Sequence, residues 1–290
     1  MTATRALLRP DAYWTQSWFE QEQERLFART WNMVGTVEDL PLRAFVAGRT
    51  LTVADVTTAD EDGRPVSVAV WAGYVFVHLD PVAPALCEWL GEFPSRIGDF
   101  HPDRLVEVAR HTLELRANWK FFVENHVDVY HLWYLHAESL GAYDHRRATW
   151  QSTGPHWNFY EPPRADVDVD SAGFWRGLTP VVGADRWGSG AHLIFPNVTL
   201  ATGAGFFMTY QCTPVAPDRS IVDIRVRAET GADATAMMEM SRTVIEVEDG
   251  MACEALQSAV ASPWFEVGPL AADHELPIAR FQGSVLEAMA

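Results

Sequence analysis

His131 and His136 stand five residues apart in the segment Glu124-Asn125-His126-Val127-Asp128-Val129-Tyr130-His131-Leu132-Trp133-Tyr134-Leu135-His136. On one continuous helix that spacing turns the two rings roughly 140° apart, because each residue turns about 100°. The H-E-x-x-H pattern differs, since its four-residue step lets one unbroken helix hold both histidines on a metal. These two can share an ion only if the helix ends or bends near His131. Asp128 and His131, three apart, share a helix face. Two readings stay open from spacing alone. Either the pair ligates a metal, or both rings are satisfied inside an aromatic core.

Two imidazoles and one carboxylate leave coordination positions free on one side of a divalent iron. The carboxylate must come from elsewhere in the chain. Glu248-Asp249-Gly250-Met251-Ala252-Cys253-Glu254-Ala255-Leu256-Gln257 is the candidate, because acids in a largely apolar helix carry a desolvation cost unless paired or metal-bound. Asp249 could serve as the ligand, and Glu246, Glu248 and Glu254 could be solvated helix-face residues; the pattern alone leaves the choice open.

Around this segment the pattern is mixed α and β. Residues 10–34 read as helical, with Trp18, Phe19, Leu26, Phe27 and Trp31 at near-helical spacing. Residues 44–58 read as a strand or two, and 66–71 with 74–79 as a hairpin turning at Ala72-Gly73. A short helix is expected over 84–100 and a strand over 105–116. Residues 150–190, with Val167-Asp168-Val169-Asp170, read as loop and short helix over a pocket. Strands are expected at 191–195, 197–201, 205–213 and 220–228. In the last, Val222, Ile224 and Val226 alternate with Asp223, Arg225 and Arg227, the mark of a half-buried strand. Helices are expected over 234–260 and 272–288.

A charge of −17 disfavours nucleic acid and anionic membranes, whose phosphates call for Lys and Arg. No apolar run of about 18 residues predicts a transmembrane helix, and Met1 to Tyr13 has no apolar signal core, so a cytoplasmic location is expected. The three cysteines, Cys87, Cys212 and Cys253, form no C-x-x-C or C-x-H pair, which argues against a disulfide framework or a cysteine-bound cluster. The twelve tryptophans suit a pocket for an apolar or planar ligand, or core packing.

Asn118-Trp119-Lys120, Glu124-Asn125 and Asp128-x-x-His131-x4-His136 together resemble the catalytic domain of the Rieske non-haem iron oxygenases. Glu248-Asp249-x4-Glu254-x-x-Gln257 resembles that family's third-ligand helix. His192 to Leu200, Pro214 to Arg219, His274-Glu275 and the stretch Glu24 to Trp31 with Val34-Gly35 and Asp39-Leu40-Pro41 are similar too. The resemblance implies an α+β helix-grip domain, an antiparallel sheet of roughly seven or more strands covered by iron-bearing helices. It implies one Fe(II) on His131, His136 and Asp249, with Asp128 and Asn125 as catalytic residues and Tyr130 beside the iron. Trp133, Trp157, Trp175, His192, Asn197, Phe206 and Met208 are the implied pocket residues, and His126 and His145 supporting or surface ones.

One departure stands out. The family's Rieske segment binds a [2Fe–2S] cluster through C-x-H and C-x-x-H. Here the chain passes from Asp39-Leu40-Pro41 through a short strand-like stretch to Val70 to Asp80, which resembles sequence following that segment. The expectation is therefore a remnant over residues 1–80, a catalytic domain over 81–290, and no cluster in this chain. Asp128 then either orients His131 or faces a Rieske histidine from another protein. The implied function is an oxygenase-type iron subunit acting on a small molecule with O₂. A separate Rieske protein, ferredoxin, reductase or cluster-bearing paralogue would supply the electrons, in a trimer or hetero-oligomer. The alternatives are a non-oxidative metal-dependent enzyme on the same fold, or a non-catalytic partner subunit.

Overall fold

The computed structural model describes residues 4–97, 104–167, 188–203, 205–271 and 274–290. The chain opens with β1 (Thr4–Arg5) and α1 (Gln16–Gln21), which runs on through a π-helical stretch, Glu22–Leu26. Six strands come next: β2 (Asn32–Thr36), β3 (Leu42–Val46), β4 (Arg49–Val53), β5 (Ala59–Glu61), β6 (Arg64–Trp71) and β7 (Tyr74–His78). They lead to α2 (Leu86–Leu90), α3 (Phe93–Arg96), β8 (Val106–Leu115) and α4 (Trp119–Val127). Strands β9 (Thr149–Thr153), β10 (His156–Glu161), β11 (Ser189–Ile194), β12 (Val198–Gly203), β13 (Phe206–Ala216) and β14 (Arg219–Ala228) succeed them. The chain closes with α5 (Thr235–Ser241), a second π-helical stretch Arg242–Asp249, α6 (Gly250–Val260), β15 (Pro269–Leu270) and α7 (Leu276–Met289).

The central sheet has seven antiparallel strands in the order β8-β14-β13-β12-β11-β10-β9. Helices α4, α6 and α7 bury their apolar residues in one core with this sheet: Trp119, Phe122, Cys253 and Phe281 pack with Leu193, Cys212 and Ile224. That is the helix-grip α+β architecture expected. Strands β2 to β7 form a separate six-stranded sheet, β2-β7-β6-β5-β4-β3. Its Met33, Tyr74 and Phe76, with Trp31 just ahead of β2, pack with Ile194, Leu200 and Phe207 of the central sheet. Among the described residues no helix is long and apolar enough to cross a membrane.

The hairpin at Ala72-Gly73 forms as read, with both residues at positive φ (53° and 80°). Three readings need correction. The first helical region ends at Arg29, because Asn32 turns its amide onto the carbonyls of Phe27 and Thr30 and so closes the helix before β2. Within 150–190, β9 and β10 form a hairpin on the sheet edge, where loop and short helix were expected. The aromatic, alternating His156–Glu161 run is a strand signal. Residues 168–187, with Trp175 and Asp168 to Asp170, lie outside the described residues. Lastly, β14 is not half-solvated: Arg225 and Arg227 are buried under the N-terminal sheet.

Carboxylates offset the cost of burying them. Arg225 Nη1 lies 2.7 Å from Asp39 Oδ2 and from Glu107 Oε2, and its Nε is 2.9 Å from Asp223. Arg227 pairs with Glu38 and donates to Leu105 O. A Cβ at Gly73 would strike the Arg227 guanidinium, so that turn needs glycine for space as well as for φ. On the other face, Lys120 and Glu22, both fully buried, pair at 2.5 Å, and Trp119 Nε1 donates to Glu22. That pair ties the first helical region to α4.

Candidate metal centre

Helix α4 starts at Asn118, whose side chain accepts from Lys120 N, and ends at Val127. Asp128 is extended (ψ 123°) and its carboxylate accepts from the backbone N–H of Tyr130 (2.7 Å) and His131 (3.1 Å). A 3-10 turn, Tyr130–Trp133, then carries His131. The helix thus breaks where the five-residue spacing requires. The rings of His131 and His136 meet at 4.9 Å between centroids and 74° between planes. Asp249, the last residue of the π-helical stretch, brings Oδ1 to 2.9 Å from His136 Nε2 and 3.8 Å from His131 Nε2. One ligand atom from each of the three lies within 4.8 Å of the others.

The remaining ring nitrogens fix the tautomers. His131 Nδ1 is 2.8 Å from Asp128 O, a carbonyl that can only accept, so Nδ1 carries the proton. His136 Nδ1 donates likewise to Glu248 Oε2 at 2.7 Å. Both Nε2 lone pairs are left facing Asp249, as metal-bound imidazoles require. Asp249 Oδ1 is buried and has no hydrogen-bond partner among the described residues, which is the state expected of a metal-directed oxygen. This donor set fits a divalent iron.

Glu248 is therefore no solvated helix-face residue. It holds His136 in place, with Ser139 Oγ donating to the same oxygen at 2.7 Å. Its sequence signal, an acid adjacent to Asp249, could not be told from an exposed one. Glu254 does lie at the surface, paired with Arg116, and Glu246 is half-exposed near His111.

The site opens on a cavity of about 130 Å³ with mainly apolar walls, among them Leu132, Phe159, Tyr210 and Val244. Trp157, Phe206 and Met208, named from the sequence, line it, and so does His126, where a supporting or surface residue was expected. His126 Nε2 lies 3.1 Å from His192 O, and burial lowers its pKa to about 4, so it faces the cavity as a neutral ring. Four other named residues stand elsewhere. Trp133 is outside, its ring 4.7 Å from that of His274. His192 lies on the opposite face of β11 from Ala191, bonded to Thr202 Oγ1, because neighbours on a strand alternate. Asn197 is buried in the β11–β12 turn, donating to Cys212 O. Asn125 is half-buried on α4 and not part of the cavity wall. Tyr130 also turns outward, 41% exposed, because the 3-10 turn points His131 inward and Tyr130 away. His145 is not a surface residue: it is buried and bonded to Glu161.

The chain belongs to the family of ring-hydroxylating alpha subunits, whose catalytic-domain model matches residues 102–290. Among curated relatives, the carnitine monooxygenase oxygenase subunit of Acinetobacter pittii is 28% identical over 123 residues, 38% of this chain and 33% of the relative. The chloroplastic choline monooxygenase of Arabidopsis thaliana is 24% identical over 225 residues, 71% of this chain and 50% of the relative. The chain thus spans half or less of the length of these relatives. In fold it is similar to the quaternary ammonium Rieske monooxygenase CntA solved with L-carnitine (TM-score 0.77, 17% identity, 100% of this chain and 96% of that one). It is likewise similar to naphthalene 1,2-dioxygenase from Rhodococcus sp. (TM-score 0.76, 15% identity, 97% and 94%).

Proposed function

We propose that this chain is the iron-bearing component of a monooxygenase acting on a small organic molecule, with one Fe(II) held by His131, His136 and Asp249. The observation that carries the reading is the convergence of two Nε2 atoms and an unpartnered carboxylate oxygen beside an apolar cavity. Iron there supplies the activation of dioxygen for hydroxylation or oxidative dealkylation. The protein's own part is to orient both imidazoles through Asp128 and Glu248 and to hold substrate against apolar walls that exclude water. Among the described wall residues there is no Lys or Arg, while Asp128, Glu161 and Asp249 are acids. Such walls suit a neutral or cationic substrate over an anionic one. The relatives named for carnitine and choline agree with that choice.

Electrons come, in this reading, from a separate Rieske protein, ferredoxin or reductase, since C-x-H and C-x-x-H occur nowhere in the 290 residues. A solved relative described as using inter-subunit electron transfer supports delivery across a protein interface, within a trimer or hetero-oligomer. Residues 1–80 are then the flanks of a lost cluster-binding segment, and 81–290 the catalytic domain. The test is metal analysis, then turnover with ¹⁸O₂, a reductase and a Rieske-type donor over a panel of amines. The expected result is one iron per chain and a single labelled oxygen in the product. Bound iron with no oxygen uptake from any donor would overturn the reading.

A further inference from the structure

The wall between the iron cavity and a second, more open pocket is built from ionisable groups. On β10, Trp157, Phe159 and Glu161 share one face and line the cavity in a row that ends in a carboxylate. Behind Glu161 stands His145, its Nδ1 2.5 Å from Glu161 Oε2, with both side chains almost wholly buried. His145 lines the outer pocket, about 560 Å³, together with Trp133, Asp144, Arg146 and Arg164. Tyr143 lines both spaces. A wall needed only for packing would be satisfied by apolar side chains, since a buried carboxylate–imidazole pair gains little stability for its desolvation cost.

We propose that Glu161 and His145 relay protons through this wall, from the outer pocket to the iron cavity. The inference rests on the oxygenase reading, because that chemistry consumes protons. A substrate C–H, O₂, two electrons from the separate donor and two protons give C–OH and water: the O–O bond breaks, a C–O bond forms, and the second oxygen leaves as water. For each proton, His145 Nε2 takes one from water in the outer pocket. Nδ1 passes its own to Glu161 Oε2, Glu161 gives one to reduced oxygen in the cavity, and the His145 ring then turns over to bring its remaining N–H round to Glu161 before the next proton. Burial raises the Glu161 pKa, against the charge and hydrogen bond of His145. A carboxyl so placed carries a proton more readily near neutral pH. Asp144, His136 and Tyr143 are the other titratable groups whose charges couple to it.

The experiment uses the full chain loaded with iron, comparing Glu161→Gln, Glu161→Asp and His145→Ala. Iron content should stay at wild-type level in all three, and substrate binding, read by tryptophan fluorescence, should stay so in His145→Ala, whose side chain does not line the cavity. Product formation should fall by about 100-fold in Glu161→Gln and His145→Ala. Glu161→Asp should recover much of it, and imidazole should restore His145→Ala where sodium chloride at equal ionic strength does not. Wild-type turnover in both variants, or a loss that neither aspartate nor imidazole rescues, overturns the relay. A second readout needs no turnover. In the metal-free protein, ¹⁵N-detected exchange of the His145 ring N–H with D₂O should outpace that of His78, which is equally buried. Equal exchange overturns the path. If the wild type takes up no oxygen, the oxygenase reading falls, and the exchange measurement decides the path by itself.

Discussion

Asp249 and Glu248 are adjacent acids with different work, and substitution should separate them. Asp249→Ala removes the proposed third ligand and should abolish iron retention after dialysis. Glu248→Gln leaves the ligands but loses the charged acceptor on His136 Nδ1, and should weaken iron binding by about 10–100-fold, measured by competition with a chelator. Retained iron in Asp249→Ala would move the third ligand to another acid. A third acid, Glu124, bears on stability. It accepts from Tyr13 OH at 2.6 Å and from Gln282 Nε2 at 3.0 Å. Burial pushes its pKa up from 4.5 to about 7, against those bonds and Lys120. The native state therefore keeps this proton where the unfolded chain has released it. The stabilisation is complete below the unfolded value and is lost as pH rises through about 7. Glu124→Gln, which keeps an acceptor and cannot ionise, should gain on the wild type by up to about 3 kcal/mol across that window. Thermal unfolding from pH 4.5 to 8 measures it, and parallel curves would refute the assignment.

Among the elements, the π-helical stretch Arg242–Asp249 decides where the Asp249 carboxylate, the proposed third ligand, points. Each residue of a helix turns about 100°, so the extra residue of a π-turn shifts the phase of every residue after it. Deleting one exposed residue there, Val247, should relax the stretch towards α and swing Asp249 off the His131–His136 pair. Helix content by circular dichroism should hold while iron is lost. Retained iron would show that the carboxylate is placed from the α6 side. The break after α4 has the same standing. Without the two N–H bonds to Asp128, the chain could run on as helix and part the histidines.

The whole molecule is fastened by ion pairs across its layers. Arg225 joins the central sheet to the Asp39 turn of the N-terminal sheet, and Lys120–Glu22 joins the first helical region to α4. Removing one buried partner strands the others. Arg225→Met leaves Asp39, Glu107 and Asp223 with only Arg110, which reaches Asp39 and Asp223, and should cost on the order of 3 kcal/mol, seen as a lower urea midpoint. An unchanged midpoint would mean that the N-terminal sheet is held without Arg225, by contacts such as those of Trp31, Met33 and Phe76.

Legibility in the sequence differs from residue to residue. His131, His136 and the need for a helix break were legible, because ligand chemistry and the 3.6-residue period are local. So was β14, from its alternation. The fate of that alternation was not: whether Arg225 and Arg227 meet water or carboxylates depends on Glu38, Asp39 and Glu107, far away along the chain. Glu248 and Glu161 were unreadable for the same reason, since an acid on a helix or strand looks alike whether it faces solvent or a histidine. The resemblance implied His192 and Asn197 as pocket residues, and strand alternation and the turn at Pro196 place them off the cavity. By itself the sequence determined which groups could bind a metal and where the local backbone had to yield. Only the tertiary structure decided which acids serve them, because a carboxylate's role is set by what lies within about 3 Å of it, and separation along the chain does not specify that distance.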